Sequence, residues 1–188
     1  VDAAQSYGFP VVLKIVSPDI LHKSDIGGVR LGLGNEHEVR LAYQQIHEAA
    51  RAVTPPPALE GILVSPMRQG GVELLVGVAP DPVWGQVLAV GLGGIWVEVL
   101  KDTALRVLPV SRAEVRSMLD ELQGSALLRG ARGTKSADMD WLVEVILRIS
   151  VLAVSLKADL ESLEINPLRV DGFQIEALDA LLTWKNPA

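Results

Sequence analysis

The sequence predicts an α+β protein built mostly from antiparallel sheet. Three observations predict it. Short apolar runs rich in Val, Ile and Leu recur in hairpin-like pairs, punctuated by Gly, Pro and Asp-Gly turn signals. Two segments open on a capping residue, Asn35 or Ser111, with a glutamate three positions later. One long segment, MDWLVEVILRISVLAVSL, has helical spacing and a broad apolar face. Strands and helices are mixed along the chain, which is the pattern of α+β architecture.

Each element follows in order. VDAAQSYGFP reads as the end of a helix and a turn, so an upstream part is expected ahead of it. PVVLKIVS, at 10–17, is short and apolar enough for a buried strand. Gly27 and Gly28 restart the chain into VRLGL, which alternates as the second arm of a hairpin. Asn35 then opens a helix to about Val53, and the prolines at 55–57 end it. GILVSP (61–66) and VELLVGVA (72–79) flank the tight MRQGG. Asp81-Pro82 turns the chain into GQVLAVGLGG, after which WVEVLKD and ALRVLPV read as another pair. Ser111 opens a helix over about 112–122, and LLRGARGTKSAD is a polar, glycine-bearing loop before the long helix. LESLEINPLRV, an Asp-Gly turn and FQIEALDALL close the chain as two or three strands.

Composition narrows the function classes. A chain of 188 residues is one domain or two small lobes, and buries a core without covalent staples. The absence of cysteine removes disulfides, thiolate metal sites and cysteine nucleophiles, and fits a cytoplasmic location. A net charge of −6 argues against nucleic acid as a partner. No apolar run reaches the roughly 18 residues of a spanning helix, so no membrane role is expected.

Three clusters carry candidate chemistry. Lys14 sits in the middle of VVLKIV. It reads either as an edge lysine snorkelling to water or as a cation paired by bound phosphate, since an unpaired buried ammonium is costly. ILHKSDIGGV places His22 and Lys23 beside Gly27 and Gly28. That is either a solvated turn or an imidazole that accepts a phosphoryl group, with cations and glycine N–H groups holding phosphate oxygens. In LEINPLRV…IEALDA, Asn166 and Asp179 lie on neighbouring strands of the predicted hairpin, with Glu164 on the face of Asn166. Their oxygens suit Mg²⁺, and a solvated acidic hairpin is the competing reading. GLGG at 91–94 lacks the ending of a P-loop, and Glu98, Asp102 and Arg106 after it each read as surface charges. RGARG at 129–133 is a weak candidate for an anion loop, and His37 and His47 fall on the polar face of a helix.

Taken together, PVVLKIVSPDILHKSDIGGVRLGL, EGILVSPMRQGGVELLVGVAPDPVWG, GLGGIWVEVLKDTALRVLPV, LLRGARG, LEINPLRV and ALDA resemble the ATP-grasp domain of NDP-forming acyl-CoA synthetases. That domain serves as the β subunit in ADP-forming acetyl-CoA synthetases, is related to the succinyl-CoA synthetase β subunit, and occurs in Pat-type protein acetyltransferases. The resemblance implies an ATP-grasp fold over 1–188, a smaller lobe at 1–64 and a larger one at 65–188 clasping nucleotide, with a further N-terminal stretch expected. It implies that Lys14 contacts the nucleotide phosphates, that His22 takes up phosphate with Lys23 beside it, and that Gly27 and Gly28 let the chain close on the phosphates. Val64, Ser65, Pro66 and Met67 would form the hinge against the adenine, and Glu73 would lie near the ribose or the lysines. Arg106 would face the phosphates, and Asn166 and Asp179 would hold Mg²⁺. ATP or ADP and Mg²⁺ are the implied ligands. CoA-binding and CoA-ligase domains, in the same chain or on a partner α subunit, are the implied partners. WGQV at 84–87 departs from the family's usual FGPV, and LEINP has glutamate where many members have aspartate. The activity implied is phosphoryl transfer between a phosphohistidine and ADP, in making or using acyl-CoA. A non-catalytic domain of an acetyltransferase and a plain interaction module are the alternatives.

Overall fold

The computed structural model describes residues 1–93 and 102–185. The chain divides into two compact units, Val1–Gln69 and Gly70–Ala188.

The first unit is a three-stranded antiparallel sheet with helices. Its elements are α1 (Asp2–Tyr7), β1 (Val11–Val16), β2 (Val29–Leu33), α2 (Glu36–Ala52) and β3 (Gly61–Pro66), with strand order β2-β1-β3. β1 is central, and its alternation sends Val11, Leu13 and Ile15 into the core. α2 covers that face with Val39, Ala42, Ile46 and Ala50, the three-and-four spacing of one helical stripe. Asn35 caps α2 by accepting the Glu38 N–H at 3.0 Å. The Glu38 carboxylate reaches one residue further back than a capping box, accepting the Gly34 N–H at 2.7 Å. Gly32, at φ 69°, absorbs an extra residue in β2, where Leu13 faces Arg30 but Val11 faces Leu33.

The second unit is a larger antiparallel sheet with helices against it. β4 (Val72–Asp81), β5 (Gly85–Leu92) and β6 (Thr103–Val107) are followed by α3 (Arg112–Glu121), α4 (Ser125–Leu128) and a 3₁₀ turn (Ala131–Gly133). Then come α5 (Met139–Ser155), β7 (Leu160–Asp171), β8 (Gln174–Ala177) and β9 (Ala180–Trp184). The order is β6-β5-β4-β7-β8, and β9 pairs with β7. Val72, Leu74, Val76 and Val78 alternate inward along β4 and meet Leu142, Val143, Ile146 and Ala153 of α5 in one core. The capping box at Ser111 is closed at both ends, and Asp138 caps α5 by accepting the Trp141 N–H at 3.0 Å.

Two expectations change. GILVSP and VELLVGVA are consecutive but do not pair: β3 joins β1, and β4 joins β5 and β7. The glycines after Met67 end one sheet and begin another. The polar loop before α5 also contains helical turns at 125–128 and 131–133. Residues 96–101 of the strand expected in WVEVLKD, Glu98 included, lie outside the described residues, and β6 takes β5 as its partner. Among the described residues no helix is long and apolar enough to cross a membrane.

Ion pairs on the second unit's helices and strands shift several carboxyls in one direction. Arg106 and then Ser117 hold Glu121 below the ordinary glutamate value, and Arg148 with Arg112 does the same to Glu144. Lys135, then Arg169, lower Asp171. A depressed folded-state value stabilises the fold above the unfolded value, and that stabilisation is lost as pH falls through the folded value. The melting temperature is therefore expected to stay level down to about pH 5 and to fall below about pH 4, as thermal scans from pH 7 to pH 3 would read. The core makes a second prediction. Ile146→Ala, at a fully buried position, should cost about 2–5 kcal/mol in urea unfolding.

Candidate functional site

The candidate residues are placed first within the first unit. Lys14 is 9 % exposed and stands on the central strand, opposite Val29 on β2 and Leu63 on β3. Alternation turns it to the sheet face away from α2, because Leu13 and Ile15 on either side of it enter the core. A lysine buried to that degree in an apolar strand needs a counter-charge or hydrogen-bond acceptors.

The loop with His22 leaves β1 after Val16 and returns at Val29, the register partner of Lys14. His22 is exposed and Lys23 half-buried. Ile20 is buried in the core and fastens the outgoing arm. The return arm is fastened by Gly28, whose carbonyl accepts the Ile15 N–H at 2.8 Å. A side chain at Gly28 would begin 2.5 Å from Ile15 Cγ2 and 2.8 Å from the Lys23 carbonyl oxygen. Gly27 has φ +71°, a left-handed conformation costly to residues with a Cβ. In this conformation the Gly27 N–H donates to Ser24 O at 3.0 Å and the Gly28 N–H to Lys23 O at 2.8 Å. Both glycines therefore close the loop here. Holding phosphate oxygens with those N–H groups would require the turn to open.

Val64, Ser65 and Pro66 end β3, which pairs only with β1 among the described residues. Met67 donates its N–H to Pro10 O at 3.0 Å. Bonded positions alternate in an antiparallel ladder, so Ser65 also turns its backbone toward β1, while the N–H and C=O of Val64 point off the open edge. Among Val64, Ser65, Pro66 and Met67, Val64 is the residue that presents both an N–H and a C=O there, a donor and acceptor pair able to read a planar ring edge.

In the second unit, Glu73 is exposed on β4, facing Arg169 in register, and its carbonyl accepts the Gly93 N–H at 2.7 Å. Arg106 is ion-paired with Glu121, so its guanidinium is engaged within the unit. Asn166 and Asp179 are brought together: the Asn166 N–H donates to Asp179 O at 3.1 Å where the strand pairing on β7 passes from β8 to β9. Asn166 Nδ2 donates to Glu164 Oε1 at 3.1 Å, which confirms the shared face read from their spacing. Among the described residues no three His or acidic side chains gather as a metal cluster. The oxygens of Asn166, Asp179 and Glu164 nonetheless fit a hard cation that keeps several waters.

Asp102 corrects the reading of a surface charge. It is 6 % exposed, and its carboxylate accepts the N–H groups of Gln123 at 2.8 Å and Gly124 at 2.9 Å. Arg169 was not singled out in the sequence. It is buried, donates to Gly70 O at 2.9 Å and to Asp171 at 2.9 Å, and lies 3.4 Å from Glu176. A charged residue inside LRV is the same signal that marked Lys14, and it marks a buried network here. His37 is exposed as expected, whereas His47 is half-buried beside Tyr43, with ring centroids 4.5 Å apart.

Comparison with known proteins decides the family. Residues 1–183 match the family described as "ATP-grasp domain". The chain belongs to the ATP-grasp domain family. Among its relatives, acetate–CoA ligase [ADP-forming] I of Archaeoglobus fulgidus is 43% identical over 90% of this chain, which spans only 24% of that protein. The β subunit of acetate–CoA ligase [ADP-forming] II of Pyrococcus furiosus is 38% identical over 89% of this chain and 71% of the subunit. Among solved structures, the dinucleotide-forming acetyl-coenzyme A synthetase 1 of Ca. Korarchaeum cryptofilum, in complex with coenzyme A and Ca-AMPCP, superposes with a TM-score of 0.88 at 37% identity. The match covers 98% of this ATP-grasp domain and 80% of that chain. Another structure of the same synthetase holds Mg-AMPPCP, with a phosphohistidine segment pointing towards the nucleotide-binding site (TM-score 0.78, 34% identity, 98% of this chain and 80% of that one).

The Gly28 contact makes a prediction for this ATP-grasp domain. Gly28→Ala should lower stability by about 1–3 kcal/mol in denaturant unfolding, because neither Ile15 nor the Lys23 carbonyl is a flexible side-chain end.

Proposed function

We propose that this chain is the nucleotide-handling ATP-grasp part of an ADP-forming acyl-CoA synthetase, moving a phosphoryl group between phosphohistidine and ADP. One observation carries the reading: an exposed histidine on a loop rooted beside a buried strand lysine, in a chain matching the β subunits of ADP-forming acetate–CoA ligases. The relatives include separate β subunits and longer single chains, so the partner is an α subunit or fused domains that bind CoA and form the acyl phosphate. A cysteine-free chain suits the cytoplasm, where such a ligase would work.

In this reading a neutral imidazole nitrogen of His22 attacks the phosphorus of a phosphohistidine on the ligase part. The donor's P–N bond breaks, and only the phosphoryl group moves. A terminal β-phosphate oxygen of ADP then attacks that phosphorus, the His22 P–N bond breaks, and ATP and free imidazole result. Lys14, with Lys23 beside His22, lowers the cost of gathering phosphate charge, and the open backbone of Val64 orients the adenine edge. Asn166 and Asp179 would hold Mg²⁺, which when bound neutralises phosphate oxygens and aligns them. The protein's contribution is positioning and charge, which a rigid strand lysine and a tethered loop supply.

Mg-ADP at about 100 times its Kd should stabilise the chain by about 2.7 kcal/mol, read as a rise in melting temperature. No rise at millimolar Mg-ADP would sink the reading. With γ-labelled ATP the chain should acquire acid-labile label. His22→Ala should lose the label and keep the ADP-induced rise, whereas label persisting in that variant removes His22 from the relay. Asp179→Ala should raise the Mg²⁺ concentration needed for the ADP response by about tenfold or more, and an unchanged Mg²⁺ requirement excludes the pair as the metal site.

A further inference from the structure

The RGARG segment has no part in the mechanism above, yet its backbone is unusual. Arg132 has φ 57° and ψ 30°, and is the one non-glycine residue with positive φ among the described residues. The left-handed region disfavours any residue with a Cβ, and such strain persists where surrounding structure imposes it. The surroundings do impose it. Thr134 Oγ1 donates to Leu127 O at 2.7 Å and to Ala131 O at 2.9 Å, and the Gly130 N–H donates to Leu127 O at 3.2 Å. The Ala137 N–H closes the loop on Leu128 O at 2.8 Å. Gly130 and Gly133 are also left-handed, at φ 88° and 82°.

Charge sets this residue apart a second time. Every other arginine of the second unit is ion-paired: Arg106 with Glu121, Arg112 and Arg148 with Glu144, Arg116 with Asp140, Arg129 with Asp120 and Arg169 with Asp171. Arg132 is exposed and has no carboxylate partner among the described residues, although its neighbours Arg129 and Lys135 are paired on either side. Helical Ala131 followed by left-handed Arg132 is also the backbone sequence in which successive N–H groups converge into an anion-binding concavity. A guanidinium above such a concavity matches a phosphate in fork geometry.

We propose that Arg132 is a binding residue for a phosphoryl group, carried either by a nucleotide or by a histidine of the protein. The proposal rests on the nucleotide reading above for the identity of the ligand. It predicts that function and fold pull in opposite directions at this position. Arg132→Gly relieves the left-handed strain, so the unliganded melting temperature should be equal or up to about 4 °C higher. The same variant, and Arg132→Gln, should weaken phosphate-dependent behaviour by about 10- to 100-fold, with Arg132→Lys between them and the parent chain.

The test titrates Mg-ADP and inorganic pyrophosphate into the parent chain and the three variants by calorimetry, and measures acid-labile labelling from γ-labelled ATP at saturation. Weaker binding of both ligands assigns the guanidinium to the nucleotide's phosphate chain. Unchanged binding with labelling slowed about tenfold or more, and Lys restoring part of the rate, assigns it to the phosphoryl group at histidine. Binding and labelling both equal to those of the parent chain overturn the proposal and leave the nucleotide reading intact. A drop of several degrees in the unliganded Arg132→Gly variant also overturns it, because the arginine would then be holding the loop. A parent chain that binds neither ligand and takes no label overturns both.

Discussion

A glycine with no room for a side chain holds the candidate phosphate loop to the core of the first unit. The main chain at Gly28 lies against Ile15, with a would-be Cβ only 2.5 Å from the Ile15 Cγ2 atom, and its carbonyl bonds the Ile15 N–H. Ile15 is itself fully buried under α2. The contact therefore ties the loop of an exposed histidine to the central strand of the unit. It also brings the loop back to β2 at Val29, in register with Lys14. Groups on loops gain precision from such tethers, and here the tether combines close packing with backbone hydrogen bonds at Gly28.

The second unit solves a different problem, that of charges the sheet cannot leave in water. Asp102 and Arg169 are both nearly inaccessible, and both are satisfied by backbone: Asp102 by two N–H groups after α3, Arg169 by the Gly70 carbonyl together with two carboxylates. Buried ions of this kind stabilise little against an apolar replacement, but losing one partner strands the other. Their effect is positional. Asp102 orients the chain between α3 and α4, and Arg169 anchors the backbone just before β4. The helices outside carry their ion pairs in water, where each adds little.

Periodicity and capping were legible because they are local. The apolar run of β1, the Asn35 cap of α2 and the capping box at Ser111 each depend on residues within a few positions of one another. The shared face of Glu164 and Asn166 was legible for the same reason. The separation of β3 from β4 was not, since adjacent apolar runs look alike whether they pair or enter different sheets. Asp102 read as a surface charge because nothing in its neighbours announces two N–H groups arriving from positions 123 and 124.

By itself, the sequence determined the class of the fold, the order of its elements and the residue types proposed here for phosphate and metal. Those follow from side-chain period, turn chemistry and the kinds of atoms each residue carries. Tertiary structure decided how those residues are used. It turned the Gly27 and Gly28 N–H groups inward to close a loop, paired Arg106 with Glu121, buried Asp102, and left Arg132 strained and without a carboxylate among the described residues. For Arg106 and Asp102 the physical reason is that ion pairs and hydrogen bonds go to whichever partner folding brings within about 3 Å, and here that partner is distant in sequence; for the two glycines and Arg132 it is the local turn into which the backbone closes.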